Sequence, residues 1–210
     1  MTKQIITISR QYGSGGREVG HRVADQLGYA YYDKKLIQRI AKLGDVDVDF
    51  VNANGEGLMG KLSTILSHLG AEGNDEGSLP LPDRLFLIES RTVKQIANEG
   101  PCVIIGHCAD HFLEDRDDVL NVFIYAGWDS RVQRVMKRND LNEPDSIHRI
   151  KRIDRNRKSF YEQYTDRHWG QSTNYDISLS SSCFGIEDAA TIISHIAKNI
   201  YLPYRHPGIP

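Results

Sequence analysis

A glycine-rich segment near the amino terminus carries the residue types that bind phosphate. It reads Gly13-Ser14-Gly15-Gly16-Arg17-Glu18, in a stretch that begins at Ser9 directly after the apolar run at residues 5–8 and leads into apolar residues at four-residue spacing. Glycines allow close approach of a ligand to the backbone, Ser14 adds a hydroxyl, and a helix N-terminus adds free N–H donors. The pattern predicts a phosphate-binding loop between a strand and a helix, although a tight turn without a ligand would require the same residues.

The segment lacks the lysine of the standard phosphate loop. The motif G-x-x-x-x-G-K-[ST] would require lysine at Arg17 and a hydroxyl residue at Glu18. Arg17 can take the lysine's role, because a guanidinium fork neutralises a pair of phosphoryl oxygens. Matching Gly13 and Gly15 to the Gly-x-Gly of other phosphate loops instead places Gly16 at the lysine position. Glu18 could hold a metal ion or stabilise the helix N-terminus, and the second alternative is favoured.

The composition predicts one globular core in a reducing compartment. A chain of 210 residues is long enough for one sizeable domain, and its net charge of −2 argues against a nucleic-acid partner. The three cysteines, Cys102, Cys108 and Cys183, show no C-x-x-C spacing, and their odd number fits free thiols. Cys102 is expected to be buried. No signal-peptide pattern or apolar run of spanning length occurs, so we expect a cytoplasmic protein without a membrane partner.

Strand and helix patterns alternate along the chain, which predicts a three-layer α/β/α fold with a parallel sheet. Strands are predicted at residues 4–9, 102–105, 119–124 and 175–179, and helices at residues 18–27, 34–42, 58–69, 84–98, 129–138 and 187–200. Ligands of such sheets bind at the carboxyl ends of the strands. Ser9 and Arg10 lie at the end of the first strand, and Gly106 and His107 follow the second.

Two segments depart from this alternation. Residues 52–82 are rich in glycine around one amphipathic helix, which predicts a movable insertion with a flexible loop at residues 70–78. Residues 137–167 are rich in arginine and lysine. A basic run in a protein of nearly balanced charge indicates either an anionic partner or a solvated helix face, and composition does not separate the two.

These motifs together resemble those of the nucleoside monophosphate kinases, and most closely those of the cytidylate kinase-like proteins. The likeness covers the phosphate loop at residues 5–20, the start of the monophosphate-binding part at 31–34, the acceptor-site strand and turn at 101–110, the Asp-Arg-Asn-Arg lid motif at 154–157 and the last strand at 174–178. It implies one P-loop kinase domain over residues 1–210, with a mobile acceptor-binding insertion at 33–83 and an arginine-rich lid at 138–168.

The resemblance implies transfer of the ATP γ-phosphoryl group, with Mg²⁺, to CMP or a related small acceptor. Catalysis of this kind is mostly positioning and electrostatics. Catalytic roles are implied for Arg17, Arg155 and Arg157, and nucleotide binding for Gly13, Ser14, Gly15, Gly16, Arg17 and Glu18. Arg131 is expected either beside the donor base or on a solvated helix face. The alternative is an ATP-binding regulatory module of the same fold without kinase turnover, which the missing lysine favours.

The acceptor side departs from the family pattern. Where cytidylate kinases carry Gly-Arg-Asp to bind the acceptor, this chain has Gly106-His107-Cys108. A histidine at position 107 can still donate to a phosphate or a ribose. Asp110 either supplies the missing carboxylate or caps a short helix, and Asp33 either contacts the acceptor or caps the helix after it. Arg152 completes the substrate-binding candidates. The acceptor's identity and the oligomeric state stay open.

Overall fold

The computed structural model describes residues 2–33, 36, 38, 39 and 81–199, and the structural statements below concern this part of the chain. Residues 36, 38 and 39 are helical, as the pattern over residues 34–42 predicts. The predicted helix at 58–69, the flexible loop at 70–78 and most of the insertion lie outside the described residues.

Five parallel strands form one sheet at the centre of the fold. They are β1 (Ile5–Arg10), β2 (Ala30–Tyr32), β3 (Cys102–Ile105), β4 (Val119–Tyr125) and β5 (Ile177–Ser180), in the order β2-β3-β1-β4-β5. Ile8 of β1 pairs with both Ile105 and Val122, so the carboxyl ends of the three central strands lie side by side. Only β2 lacks a strand prediction, because three residues at a sheet edge are too short to show a period.

Helices cover both faces of this sheet, which confirms the predicted fold class. They are α1 (Gly16–Leu27), α2 (Leu81–Glu99), α3 (Ala109–Phe112), α4 (Trp128–Asn139), α5 (Glu143–Thr165) and α6 (Ser181–Ala197), with a short 3₁₀ turn at Ser172–Asn174. Neighbouring residues of a strand point to opposite faces. Ile6 and Ile8 accordingly pack in the core with α1 and α6, whereas Ile5 packs in the core with α2, α3 and Tyr161 of α5.

Most of the basic segment resembling a lid is one long helix, α5. Its start is capped by Asn142, whose side chain accepts a hydrogen bond of 2.9 Å from the Asp145 N–H. Ile150 and Ile153 of this helix pack against Val132 and Val135 of α4 and against Tyr12. The α4–α5 pair is therefore joined to the glycine-rich loop by an apolar cluster of its own.

The last helix begins earlier than its periodicity predicts. It starts at Ser181, but Gly185 interrupts it with a φ of +79°, which hides the first turn from a four-residue pattern. Cys102 is fully buried in the sheet, as expected. Within the described ranges, the helices are too short or too polar to cross a membrane.

Candidate functional site

The glycine-rich loop follows β1 and leads directly into α1. Its entry is fixed by the Gln11 N–H, which donates to the Ile124 carbonyl at 3.0 Å. Gly15 is the N-cap of α1 and adopts a left-handed backbone with φ +79°. The Ser14 hydroxyl is buried and accepts a 3.3 Å hydrogen bond from the Gly16 N–H. The loop thus has the strand–loop–helix form of a phosphate site, with Ser14 used to shape it.

Side chains of helices α4 and α5 form hydrogen bonds with the backbone of this loop. Arg131 Nε donates to the Tyr12 carbonyl at 2.8 Å, and the Tyr12 N–H donates to Asp154 Oδ1 at 2.7 Å. Arg131 and Asp154 also form an ion pair with each other. Arg134 Nη1 donates to the Gly13 carbonyl at 2.6 Å. Arg131 is only 5% exposed, so the expectation of a solvated helix face is wrong: its guanidinium is needed to satisfy the loop backbone.

Four arginines are among the residues that line a cavity of about 20 Å³ at the loop. They are Arg10, Arg17, Arg138 and Arg157. Arg17 Nε lies 3.0 Å from Asp33 Oδ2, and Arg157 Nη1 lies 3.9 Å from Asp154 Oδ1. Clustered like charges repel one another unless a counter-charge lies between them. In a protein of net charge −2, this local excess of positive charge fits a ligand with several negative charges.

A second cavity, of about 70 Å³, lies beside the first at the carboxyl ends of β1 and β3. Its walls combine three cationic or polar nitrogen-bearing side chains with three aromatic rings, namely Arg10, His107, Arg157, Phe160, Tyr161 and Trp169. Arg10 and Arg157 line both cavities. The two spaces therefore share one wall, to which Arg10 and Arg157 belong.

His107 is held in place by a buried carboxylate of α2. Its Nδ1 lies 3.1 Å from Glu89 Oε1, and Glu89 is 4% exposed. The histidine has a left-handed backbone with φ +58°. A hydrogen bond to a carboxylate requires the proton on Nδ1, which leaves Nε2 as the nitrogen that can meet a ligand. This pairing gives His107 a fixed orientation, as an acceptor-site residue requires.

Asp110 does not line the second cavity, but it contacts Tyr161, which does. It is 2% exposed, and its Oδ2 accepts a 2.7 Å hydrogen bond from the Tyr161 hydroxyl. Burial raises the pKa of the Asp110 carboxyl, and it also raises the pKa of the Tyr161 hydroxyl. Cys108, not Asp110, occupies the N-cap of α3. The structure therefore places Asp110 where it positions Tyr161.

Three of the predicted site residues are exposed to solvent, namely Arg152, Arg155 and Glu18. Arg152 and Arg155 are exposed on α5 and line neither of the two cavities, whereas Arg157 lines both. Two residues along a helix rotate a side chain by roughly 200°, so Arg155 and Arg157 point to different sides. Glu18 is exposed in the first turn of α1. Roles for Arg152, Arg155 and Glu18 in catalysis or binding stay predictions.

Sequence reasoning assigned no site role to Arg10, Arg138 or Glu89. The position of Arg10 at the end of a strand was a usable signal, because ligands of parallel sheets bind there. Arg138 was visible only as one member of a basic run. Glu89 lies on a helix 18 residues before its histidine partner, a separation that no local pattern connects.

Comparisons with solved structures agree with this fold. The chain is similar to an uncharacterized protein from Eubacterium ventriosum, with 24% identity, a TM-score of 0.69 and coverage of 92% of this chain and 97% of that one. TT1252 from Thermus thermophilus matches with 16% identity, a TM-score of 0.54 and coverage of 96% and 100%. Shikimate kinase from Acinetobacter baumannii, in complex with shikimate, matches with 13% identity, a TM-score of 0.52 and coverage of 96% and 96%.

These identities are too low to carry more than the fold. No match was found among the curated proteins. A protein-family model described as the cytidylate kinase-like family matches residues 5–183, which is most of the chain. The match includes the phosphate loop, all five strands and α5. The chain belongs to the cytidylate kinase-like family, and its fold is that of the P-loop kinases.

Proposed function

We propose that this protein transfers the γ-phosphoryl group of ATP to CMP or a closely related small acceptor. The observation that carries this proposal is the wall shared by the two cavities, to which Arg10 and Arg157 both belong. A phosphoryl group that passes between two anionic molecules needs positive charge at the point of transfer. Two arginines that line both the phosphate-loop cavity and the second cavity can supply that charge.

The glycine-rich loop suits the donor. Its backbone N–H groups and the N-terminus of α1 can meet phosphate oxygens, and four arginines line the same space. Arg17 belongs to this set, and its ion pair with Asp33 fixes the direction of its side chain. A triphosphate carries enough negative charge to offset several arginines at once.

The second cavity suits a nucleoside monophosphate. His107, Arg10 and Arg157 can neutralise the acceptor phosphate, while Phe160 and Trp169 offer apolar ring surface for a base. A cavity of about 70 Å³ is several times the roughly 10–15 Å³ that one water molecule needs, so it has room for a group of phosphate size. The rest of the acceptor would extend out of this cavity.

The transfer step needs no covalent contribution from the protein. An oxygen of the acceptor phosphate bonds to the γ-phosphorus as the bond to the β,γ-bridging oxygen breaks, and the bridging electron pair stays with ADP. Any proton on the attacking oxygen passes to solvent. The guanidinium groups of Arg157 and Arg10 stabilise the charge on the transferring group.

Magnesium would enter with the nucleotide. No group of three or more His, Cys, Asp or Glu residues that could hold a metal occurs in the described part of the chain. That fits Mg²⁺, which proteins usually hold through one or two carboxylates and the substrate phosphates. Glu18 and Asp33 are the candidates, and Asp33 Oδ1 is buried without a hydrogen bond from the described residues. The ion would neutralise charge on the phosphate oxygens.

A coupled assay of ADP release tests the proposal. The full chain is given Mg²⁺ and ATP with CMP, dCMP, UMP, AMP or GMP, and the rate without acceptor is subtracted. We expect acceptor-dependent turnover, highest with a cytidine nucleotide, and a loss of that turnover in Arg157→Ala. Arg22→Ala is the matched control, because Arg22 pairs with Glu187 on the surface and its side chain is 53% exposed.

Calorimetry separates the kinase from the regulatory module. Tight ATP binding without turnover on any acceptor of the panel would indicate the module. Absence of ATP binding, with no rise in melting temperature on adding nucleotide, would contradict both functions.

A further inference from the structure

We propose that Arg10, at the end of β1, supplies the cationic group that this phosphate loop lacks on α1. The proposal rests on the function proposed above and names the residue that contacts the transferring phosphoryl group. When Gly13 and Gly15 are matched to the Gly-x-Gly of other phosphate loops, the missing lysine falls on Gly16. The structure shows what occupies the space that a side chain at position 16 would need.

That space is filled by Arg10. A Cβ at position 16 would lie 2.7 Å from Arg10 Cβ and 3.1 Å from Arg10 Cγ, with Ile124 Cβ at 3.3 Å. Contacts under 3.0 Å between such atoms do not occur without a shift of the structure. Gly16 has no positive φ, so its backbone would accept another residue. Position 16 must therefore be glycine as long as Arg10 fills this space. A lysine at position 16 cannot coexist with an arginine at position 10.

The far end of the Arg10 side chain reaches the acceptor turn. A Cβ at position 106 would overlap Arg10 Nη1, so Gly106 leaves room for the guanidinium at the end of β3. Arg10 thus crosses from β1 to β3 over the carboxyl edge of the sheet and lines both cavities. Its main-chain carbonyl accepts a 3.0 Å hydrogen bond from Arg157 Nη1, which keeps the two arginines together.

Arg17 is differently placed. It lies one residue beyond Gly16 on α1, which rotates its side chain by about 100° from the lysine direction. Its Nε lies 3.0 Å from Asp33 Oδ2 at the end of β2, and its carbonyl accepts a hydrogen bond from the Tyr31 hydroxyl. Arg17 lines the loop cavity but not the second cavity. In this proposal Arg17 adds to the charge around the donor, and Arg10 contacts the group in transit.

Moving the cationic side chain from position 10 to position 16 tests the proposal. ATP binding is measured by titration calorimetry, and acceptor-dependent turnover by ADP release, for Arg10→Ala, Arg10→Gly, Gly16→Lys and the double variant Arg10→Gly/Gly16→Lys. We expect Arg10→Ala and Arg10→Gly to weaken ATP binding at least tenfold. The double variant should regain at least part of the ATP binding that Arg10→Gly loses. Its lysine at position 16 restores a cation, and glycine at position 10 has no Cβ to clash with that lysine. Arg22→Ala should bind ATP as the wild type does.

Each outcome decides the matter. ATP binding within twofold of wild type in Arg10→Ala, or no recovery in the double variant, would overturn the role of Arg10 while leaving the proposed function standing. Unchanged stability together with tighter ATP binding in Gly16→Lys alone would also overturn it, because the two side chains could then coexist. A wild-type protein that binds no ATP overturns the proposed function and this inference together. If Arg10→Ala does not fold, as judged by circular dichroism, Arg10→Lys replaces it and is expected to keep partial binding.

Discussion

Asp154 holds the phosphate loop to α5, and its replacement by alanine is expected to lower the free energy of unfolding by about 3 kcal/mol. The substitution removes the acceptor of the Tyr12 N–H at 2.7 Å and leaves the Arg131 guanidinium buried without its carboxylate. Removing one partner of a buried ion pair costs about 3–5 kcal/mol. The Asp154 side chain is 17% exposed and that of Arg131 is 7% exposed, so water relieves part of this cost and the lower end applies.

Urea unfolding followed by circular dichroism measures this effect. For a chain of this length a loss of about 3 kcal/mol also lowers the melting temperature by roughly 6–12 °C. Asp154→Asn keeps an acceptor for the Tyr12 N–H but loses the charge, so its loss should be smaller. Asp188→Ala, at an exposed position on α6, is the matched control and should stay within about 0.5 kcal/mol of wild type.

A double-mutant cycle distinguishes the ion pair from the other contacts of Asp154. Once Asp154 is gone, removing Arg131 also removes the uncompensated charge. The loss in Asp154→Ala/Arg131→Ala should therefore fall short of the sum of the single losses by about 1–3 kcal/mol. A loss under about 1 kcal/mol in Asp154→Ala, or strictly additive losses, would refute the assignment of Asp154 and Arg131 as the support of the loop.

Three further predictions follow from the site and its surroundings. Arg157→Ala should lower turnover at least about a hundredfold but lower stability by only about 1 kcal/mol, since its side chain is 16% exposed and its Nη1 donates to the Arg10 carbonyl at the surface of the cavities; a large drop in melting temperature instead would make it a structural residue. Burial raises the pKa of Asp110 in the folded state, so its contribution to stability weakens as pH rises from the unfolded value of about 4 through the folded value. Asp110→Asn does not titrate and should gain stability relative to wild type over that rise, as urea unfolding at several pH values would show; the opposite trend would contradict it. Only the exposed cysteine, Cys183, should react with a thiol reagent in the native protein, because burial raises the pKa of the thiols of Cys102 and Cys108; more than one modified thiol per folded chain would contradict this.

Local patterns were sufficient for most elements of the fold, but they predicted neither the strand β2 nor the long helix α5, whose segment was recognised only as a basic run. The strand at Cys102–Ile105 has the predicted bounds, and the bounds of β1 and β4 differ from prediction by one residue at one or both ends. Apolar runs and four-residue spacings indicate burial directly, because the period of a helix or strand decides which of its residues lie on the same face. The glycine-rich loop between β1 and α1 was also recognisable, because its conformation needs glycine at fixed places.

The sequence by itself therefore determined the fold class, the position of the phosphate loop and the family. Only the tertiary structure decided which charged residues meet. It brings Arg10 and Arg157, 147 positions apart, to one wall, it buries Arg131 under the loop, and it pairs His107 with Glu89. These contacts depend on the order of the strands and on how each helix is rotated against the sheet. Both are set by packing between distant segments, which the spacing of residues along a single segment does not record.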